Sequence, residues 1–242
     1  ALGVPVEFQN RKSLQPSPVV GMRGYGTHHQ PPGTWSDDSS LMLCTVASLN
    51  ECNCLDLDDL AKRFVAWRYE NYLTPWGNVF DIGNATASAI GRLQRGVSPT
   101  VAGGADEQSN GNGSLMRILP VALYFRHAPL QELIQAAHDV SALTHRHPRS
   151  QMACGMYCLL VSELLRNQSP MDAYHSAIEL ASAHFKKDAT FSAELKHYER
   201  SLNYRKCELV LNYAAWNFRH RLAQPERKHP MDSALLSSAG VD

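Results

Sequence analysis

The chain has 242 residues, enough for one sizeable domain with its own core. Lys and Arg number 23 and Asp and Glu number 23, so the formal net charge is zero and nothing in the balance points to nucleic acid or an anionic membrane. Hydrophobic residues make up 44% and charged residues 19%, a globular composition that excludes disordered, collagenous and coiled-coil chains. The longest strongly apolar stretch, Met152 to Leu165, is too short for a bilayer span and contains Ser162 and Glu163.

In chain order, residues 1 to 40 are rich in Gly, Pro and polar residues, which predicts loops with at most one short helix. Helices are predicted over Leu41–Leu49, Leu57–Glu70 and Ile82–Leu93. Residues 97 to 113 read as a second polar loop. Ser114 to Phe125 reads as a helix kinked at Pro120. Leu130–Thr144, Pro148–Arg166, Met171–Lys186, Phe191–Leu202 and Leu209–Arg221 complete the helical set. No stretch alternates with period two, so the predicted fold is all-α: a single compact multi-helix domain over residues 1–242, with two long polar loops. Loops of that length are often functional.

Six cysteines stand at 44, 52, 54, 154, 158 and 207. Cys44, Cys154, Cys158 and Cys207 lie in apolar helical surroundings, and Cys52 and Cys54 lack a partner pair at zinc spacing. Reduced thiols are expected, and with no basic n-region or signal-like core at Ala1-Leu2-Gly3-Val4-Pro5 the expected compartment is the cytoplasm.

Four short motifs stand out. In Thr34-Trp35-Ser36-Asp37-Asp38-Ser39-Ser40, two carboxylates flanked by hydroxyls precede an apolar helix. Ser36 as N-cap with Asp37 and Asp38 in the first turn is one reading, favoured by the helix dipole. A site for a hard cation is the other, and it needs further carboxylates from elsewhere, because adjacent helical side chains diverge by about 100°. In Phe80-Asp81-Ile82-Gly83-Asn84-Ala85-Thr86, Asp81 again reads as a helix cap or as a ligand-facing carboxylate. Asn110-Gly111-Asn112-Gly113-Ser114-Leu115-Met116-Arg117 offers backbone N–H groups ahead of a helix, as a phosphate cradle does, without the Gly-Lys-Ser/Thr of a P-loop. Thr144-His145-Arg146-His147-Pro148-Arg149-Ser150 is either a solvated loop of mixed charge or a phosphate- or ribose-recognising one. His28-His29 reads as a surface pair, since no acidic residue adjoins it, and Glu7 as a lone carboxylate.

Taken together and in order, these motifs with Ala-Leu-Gly-Val-Pro-Val-Glu-Phe at 1–8 resemble the ADP-ribosylglycohydrolase family. The resemblance spans most of residues 1 to 165. It implies an all-helical fold with a binuclear Mg²⁺ or Mn²⁺ centre in a cleft. Ser36, Asp37 and Asp38 would be metal ligands or their neighbours, and Glu7 would face the same centre. Asp81 would orient the attacking water, with Asn84 on the ribose side. Asn112, Gly113, Ser114 and Met116 would hold the diphosphate and ribose, and His145 would sit near the nucleotide. The implied reaction is hydrolysis of the N-glycosidic bond of an ADP-ribosylated protein or small ADP-ribosyl substrate, with an arginine guanidinium or another modified group leaving. The family's Gly-Asp-Thr-Asp-Thr-like C-terminal motif does not occur here, and no Gly-Asp precedes Ala1, so the resemblance further implies a member shortened at both ends. A catalytically inactive ADP-ribose-binding homologue is the alternative. A helical phosphohydrolase ranks last, because His138-Asp139 is the one His-Asp pair available to it.

Overall fold

In the computed structural model, which describes residues 2–198, several helices start where a side chain accepts free backbone N–H groups. Ten α-helices follow one another: α1 (Arg11–Leu14), α2 (Asp37–Cys52), α3 (Leu57–Glu70), α4 (Asn84–Gln94), α5 (Pro99–Ala102), α6 (Leu119–Tyr124), α7 (Leu130–Ala142), α8 (Pro148–Leu164), α9 (Pro170–Phe185) and α10 (Ala189–Glu194). Short 3₁₀ turns lie at Val4–Val6, Glu107–Ser109, Leu115–Arg117 and Leu195–Tyr198. No β-strand occurs among the described residues. The one β-type contact among the described residues is an isolated parallel bridge between Gly104 and His145. The all-α expectation holds.

Asp56 shows how the sequence sets a boundary. Its side chain accepts from the backbone N–H groups of Asp58 and Asp59 and so starts α3, and Asn71 ends that helix in the left-handed conformation with φ 60°. The helix between them matches the predicted Leu57–Glu70. By contrast α2 begins four residues before the expected Leu41, because its first turn, Asp37 to Ser40, is polar and carries no apolar period. The expected kinked helix over Ser114–Phe125 does not form. The chain makes a 3₁₀ turn at Leu115–Arg117, then starts α6 with Pro120 in its first turn, where the missing N–H costs nothing. The predicted Leu209–Arg221 helix, Cys207 and the C-terminal end of Phe191–Leu202 lie outside the described residues.

The described chain divides into two compact units, one up to Cys158 and one from Leu159 on. In the first, α2 packs on α3, α6 and the Leu115–Arg117 turn, α3 packs on α4, and α7 packs on α5 and α6. Their shared core holds Leu41, Leu60, Phe64, Trp67, Ile90, Ile118, Val121 and Ile134, all fully buried. In the second unit, Ala173, Ala177, Ala181 and Phe185 form a buried stripe along α9 at the i, i+4 spacing. Glu163 is buried there too, held by Arg166 at 2.9 Å, Gln168 at 2.8 Å and Ser176 at 2.9 Å. No described helix is long and apolar enough to cross a membrane. The five described cysteines are free thiols, with Cys44, Cys154 and Cys158 buried.

Candidate active site

The N-terminus of α2 supplies the first acidic pair. Ser36 stands at the N-cap, yet its hydroxyl donates to Asp38 Oδ2 at 3.1 Å and accepts no backbone N–H. The simple cap reading of this motif therefore fails at Ser36. Trp35 Nε1 donates to Ser40 and Trp76 Nε1 donates to Thr34, which fixes the approach to the helix. Asp37 is buried while Asp38 is exposed. Burial, together with the negative charges of Asp38 and Asp81, pushes the Asp37 carboxyl up to about 7.

Three distant segments meet beside this pair. Gly26 approaches the N-terminal segment so closely that a Cβ there would lie 1.8 Å from the Pro5 carbonyl oxygen. Thr27 N–H donates to the same carbonyl at 3.0 Å, and Thr27 Oγ1 donates to the Glu7 carbonyl oxygen at 2.7 Å. This pairing sets Glu7 against His28, whose Nε2 lies 2.7 Å from Glu7 Oε2 and 3.8 Å from Asp81 Oδ1. Phe8 and Phe80 flank the imidazole, with ring centroids 6.2 and 5.4 Å away. While His29 is exposed as expected, His28 is thus half-buried and paired with acidic residues, contrary to the sequence expectation. Its partners are acidic residues 21 and 53 positions away along the chain.

Asp81 does not cap α4. Gly83 occupies the N-cap, and Asp81 turns through a left-handed backbone (φ 58°) that directs its carboxylate to His28. A non-glycine residue in that region is uncommon and often marks a functional site. Burial, and then the hydrogen bond and charge of Glu7, raise the Asp81 carboxyl to about 6 against the opposing pull of His28.

Glu7, His28 and Asp81 each offer one ligand atom, all within 4.8 Å of one another. The expected ligands Ser36, Asp37 and Asp38 are not part of this triad. Asp37 and Asp38 adjoin it electrostatically, since both raise or share the charge felt at Asp81 or Asp37. Four carboxylates therefore converge on one imidazole among the described residues, and burial together with their like charges raises the Asp37 and Asp81 carboxyls. Oxygen donors short of positive charge suit a hard divalent cation, so the residues present fit the metal that the resemblance implies.

The second polar loop supplies a different surface. Asn112 is exposed, as is Asn84 at the start of α4. Gly113 is pressed between two buried groups: a Cβ there would lie 2.7 Å from His145 Cε1 and 3.1 Å from Thr86 Oγ1. Thr86 and Asn84 share the first turn of α4, which brings this loop beside the Asp81 turn. Leu115 and Met116 N–H both bond back to the Asn112 carbonyl, and the following element is one 3₁₀ turn. The expected helix-dipole cradle is absent, and the loop's exposed polar groups remain. Ser114 is fully buried and its hydroxyl is engaged by Ser141 at 2.8 Å and by Cys154. It supports the loop from beneath, while Met116 is half-buried.

The Thr144–Ser150 stretch braces that loop. Arg146 N–H donates to the Gly104 carbonyl at 2.8 Å, and Ser150 Oγ donates to the Gly111 carbonyl at 3.1 Å. His147 and Arg149 both reach Glu107, at 3.2 and 2.9 Å. His145 is buried and Arg117 fully so. Arg117 lies over the Phe64 ring at 4.8 Å, and among the described residues the carboxylate whose charge reaches it, Asp37, is not in ion-pair contact with it. Sequence reasoning missed His28 and Arg117. For His28 the flanking Phe8 and Phe80 were a signal visible only once the segments meet. For Arg117 the signal was a charged residue inside the apolar run Leu115 to Leu123.

An all-helical unit whose loops gather an acidic, cation-competent cluster beside a polar glycine loop defines the class by fold and site. The family model for ADP-ribosylglycohydrolase matches residues 1–235, and the chain belongs to that family. An ADP-ribosylarginine hydrolase of Serratia proteamaculans is 30% identical over 175 residues, covering 72% of this chain and 46% of its own length. The ADP-ribosyl-[dinitrogen reductase] glycohydrolase of Rhodospirillum rubrum is 28% identical over 188 residues, or 76% of this chain and 60% of its own. A solved structure described as an ADP-ribosylglycohydrolase-related protein complex superposes with a TM-score of 0.53 at 32% identity, over 67% of this chain and 50% of that one. The chain spans about half the length of the curated relatives it matches.

Proposed function

We propose that this chain carries the active centre of a metal-dependent hydrolase that cleaves the N-glycosidic bond of ADP-ribosylarginine-type substrates and releases ADP-ribose. The observation that carries the proposal is the meeting of Glu7, His28 and Asp81 within 4.8 Å, beside Asp37 and Asp38. Family membership and the printed activities of the Serratia and Rhodospirillum relatives support the substrate class.

Glu7, His28, Asp81, Asp37 and Asp38 would hold Mg²⁺ or Mn²⁺, with Ser36 orienting Asp38 through its 3.1 Å hydrogen bond. A bound dication supplies polarisation of ribose hydroxyls and of water. The chain's own residues do the rest. Asp81 accepts a hydrogen bond from the attacking water and takes its proton as the C–N bond to the guanidinium breaks. The leaving guanidine carries the electron pair of that bond and is protonated on release, so water adds across the glycosidic bond. Asn84, Asn112, the Gly113 backbone, Met116 and His145 contact the ADP-ribosyl group. The free thiols suit a reducing compartment such as the cytoplasm.

The test is release of ADP-ribose from an ADP-ribosylated arginine peptide, with Mg²⁺, with Mn²⁺ and with chelator. Metal-dependent release is the expected result. Tight ADP-ribose binding without release favours a non-catalytic binding homologue, and neither binding nor release overturns both readings.

A further inference from the structure

We propose that Arg117 is a positioning residue: acting through Thr144, it fixes His145 as the Nε2–H tautomer, so that His145 offers a neutral N–H donor to a phosphate oxygen lying against the Gly111–Gly113 loop. The identity of that oxygen rests on the ADP-ribosyl reading above, while the tautomer does not.

Arg117 is a donor with no acceptor capacity. Its Nη2 donates to Thr144 Oγ1 at 2.5 Å, and both Nη atoms reach the Val140 carbonyl at 3.3 and 3.4 Å. Thr144 is fully buried, and its hydroxyl has two partners among the described residues: Arg117 and His145 Nδ1, the latter at 2.9 Å. Since Arg117 fills one lone pair as donor, the hydroxyl hydrogen has one acceptor available, and that is Nδ1. Were Nδ1 protonated instead, Thr144 would accept twice and leave a buried O–H unbonded. Nδ1 is therefore the acceptor, and the imidazole hydrogen resides on Nε2.

Nε2 faces the loop. A Cβ at Gly113 would lie 3.2 Å from it, and one at Gly111 would lie 3.6 Å away. Position 113 has room for His145 because it lacks a side chain, and the ring edge is thereby held against backbone at the exposed Asn112 turn. Nε2 has no hydrogen-bond partner among the described residues and lies at the edge of a residue that is 3% exposed overall. Burial and the neighbouring Arg117 charge hold the imidazole at about 4, so at neutral pH it stays uncharged. A buried guanidinium with no carboxylate in ion-pair contact is costly, and beside the more distant charge of Asp37 the relay gives this one a role: it fixes the proton on His145 and adds positive potential behind the loop.

The experiment uses the 242-residue chain with ¹⁵N-labelled imidazoles. Long-range ¹H–¹⁵N spectra of the ligand-free protein near pH 7 should report His145 as the Nε2–H tautomer. Thr144→Val should disturb that tautomer and weaken ADP-ribose binding about tenfold, read by calorimetry. Thr144→Ser keeps the hydroxyl and should retain both. Arg117→Met, scored only where circular dichroism shows a native fold, should behave as Thr144→Val does. Observation of Nδ1–H or of an imidazolium overturns the relay. A changed tautomer with unchanged affinity overturns the donor role. Failure of ADP-ribose to bind the unsubstituted chain overturns the assigned acceptor and the functional reading together, while the spectra still decide the tautomer.

Discussion

Asp37 occupies a position that a purely structural first-turn residue would not need. A cap or dipole partner at a helix N-terminus gains by being charged and solvated, yet Asp37 is buried beside two other carboxylates and its pKa rises to about 7. Asp37→Asn and Asp38→Asn keep shape and remove charge from a cluster proposed to hold a dication. Each should lower kcat on a modified arginine peptide by about 10²-fold, roughly 2.7 kcal/mol of barrier, with the circular dichroism spectrum unchanged. Rates within a few-fold of the unsubstituted chain would return both residues to the role of helix caps. Asn112→Ala removes an exposed contact made before and during reaction, so it should raise KM and leave kcat nearly unchanged. The Asp pair and the Asn-Gly loop were legible in the sequence as motifs. Their partners were not: Glu7 and His28 are 21 residues apart and His28 and Asp81 are 53 apart, a pairing set by the Gly26–Pro5 approach and the left-handed turn at Asp81.

Elements with a strong apolar period were read correctly because burial on one face dictates both the period and the helix, as in α3 and α7. Where the first turn is polar, or a proline can begin a helix as well as bend one, the period is silent, hence the early start of α2 and the broken Ser114–Phe125 segment. The loop over residues 103 to 113 depends instead on close packing, and Gly113 tests it. In Gly113→Ala the new Cβ meets His145 and Thr86, both buried and unable to yield, so a loss of about 1–3 kcal/mol is expected by chemical denaturation. Gly83→Ala is the control, since a Cβ there meets nothing within 4 Å and φ is −65°. His145 adds a pH dependence. Its folded pKa is depressed from 6.5 to about 4, so below pH 6.5 the unfolded chain binds a proton that the folded chain resists. Stability from this residue is present above 6.5 and is lost as pH falls through 4, by up to about 3 kcal/mol. Asp37 and Asp81, with raised pKa values, act in the opposite sense over the same range. The measurement is therefore the difference in denaturation free energy between the unsubstituted chain and His145→Asn from pH 7 to 4.5. The His145 effect falls if that difference is flat across the range.

At the scale of the molecule, the acidic cluster links folding to ligand binding. It is assembled from the N-terminal segment, the residue 24–30 loop, the α2 start and the turn before α4, none of which brings its carboxylates together until the first unit folds. Without a cation, mutual repulsion among Glu7, Asp37, Asp38 and Asp81 opposes that assembly, offset in part by His28 beside Glu7 and Asp81 and by the Arg117 charge felt at Asp37. A divalent cation that binds the folded cluster and not the scattered carboxylates stabilises the fold by mass action, about 2.7 kcal/mol at one hundred times its dissociation constant. Adding Mn²⁺ or Mg²⁺ to chelator-treated protein should therefore raise the thermal midpoint progressively with metal concentration. Monovalent salt at matched ionic strength separates site binding from screening, because screening alone relieves exposed repulsions without saturating. Glu7→Gln and Asp81→Asn should each abolish most of the metal-dependent rise while themselves raising the midpoint in chelator, since each removes a repelling charge. A metal-dependent rise that persists undiminished in both variants would move the cation away from the Glu7–His28–Asp81 cluster.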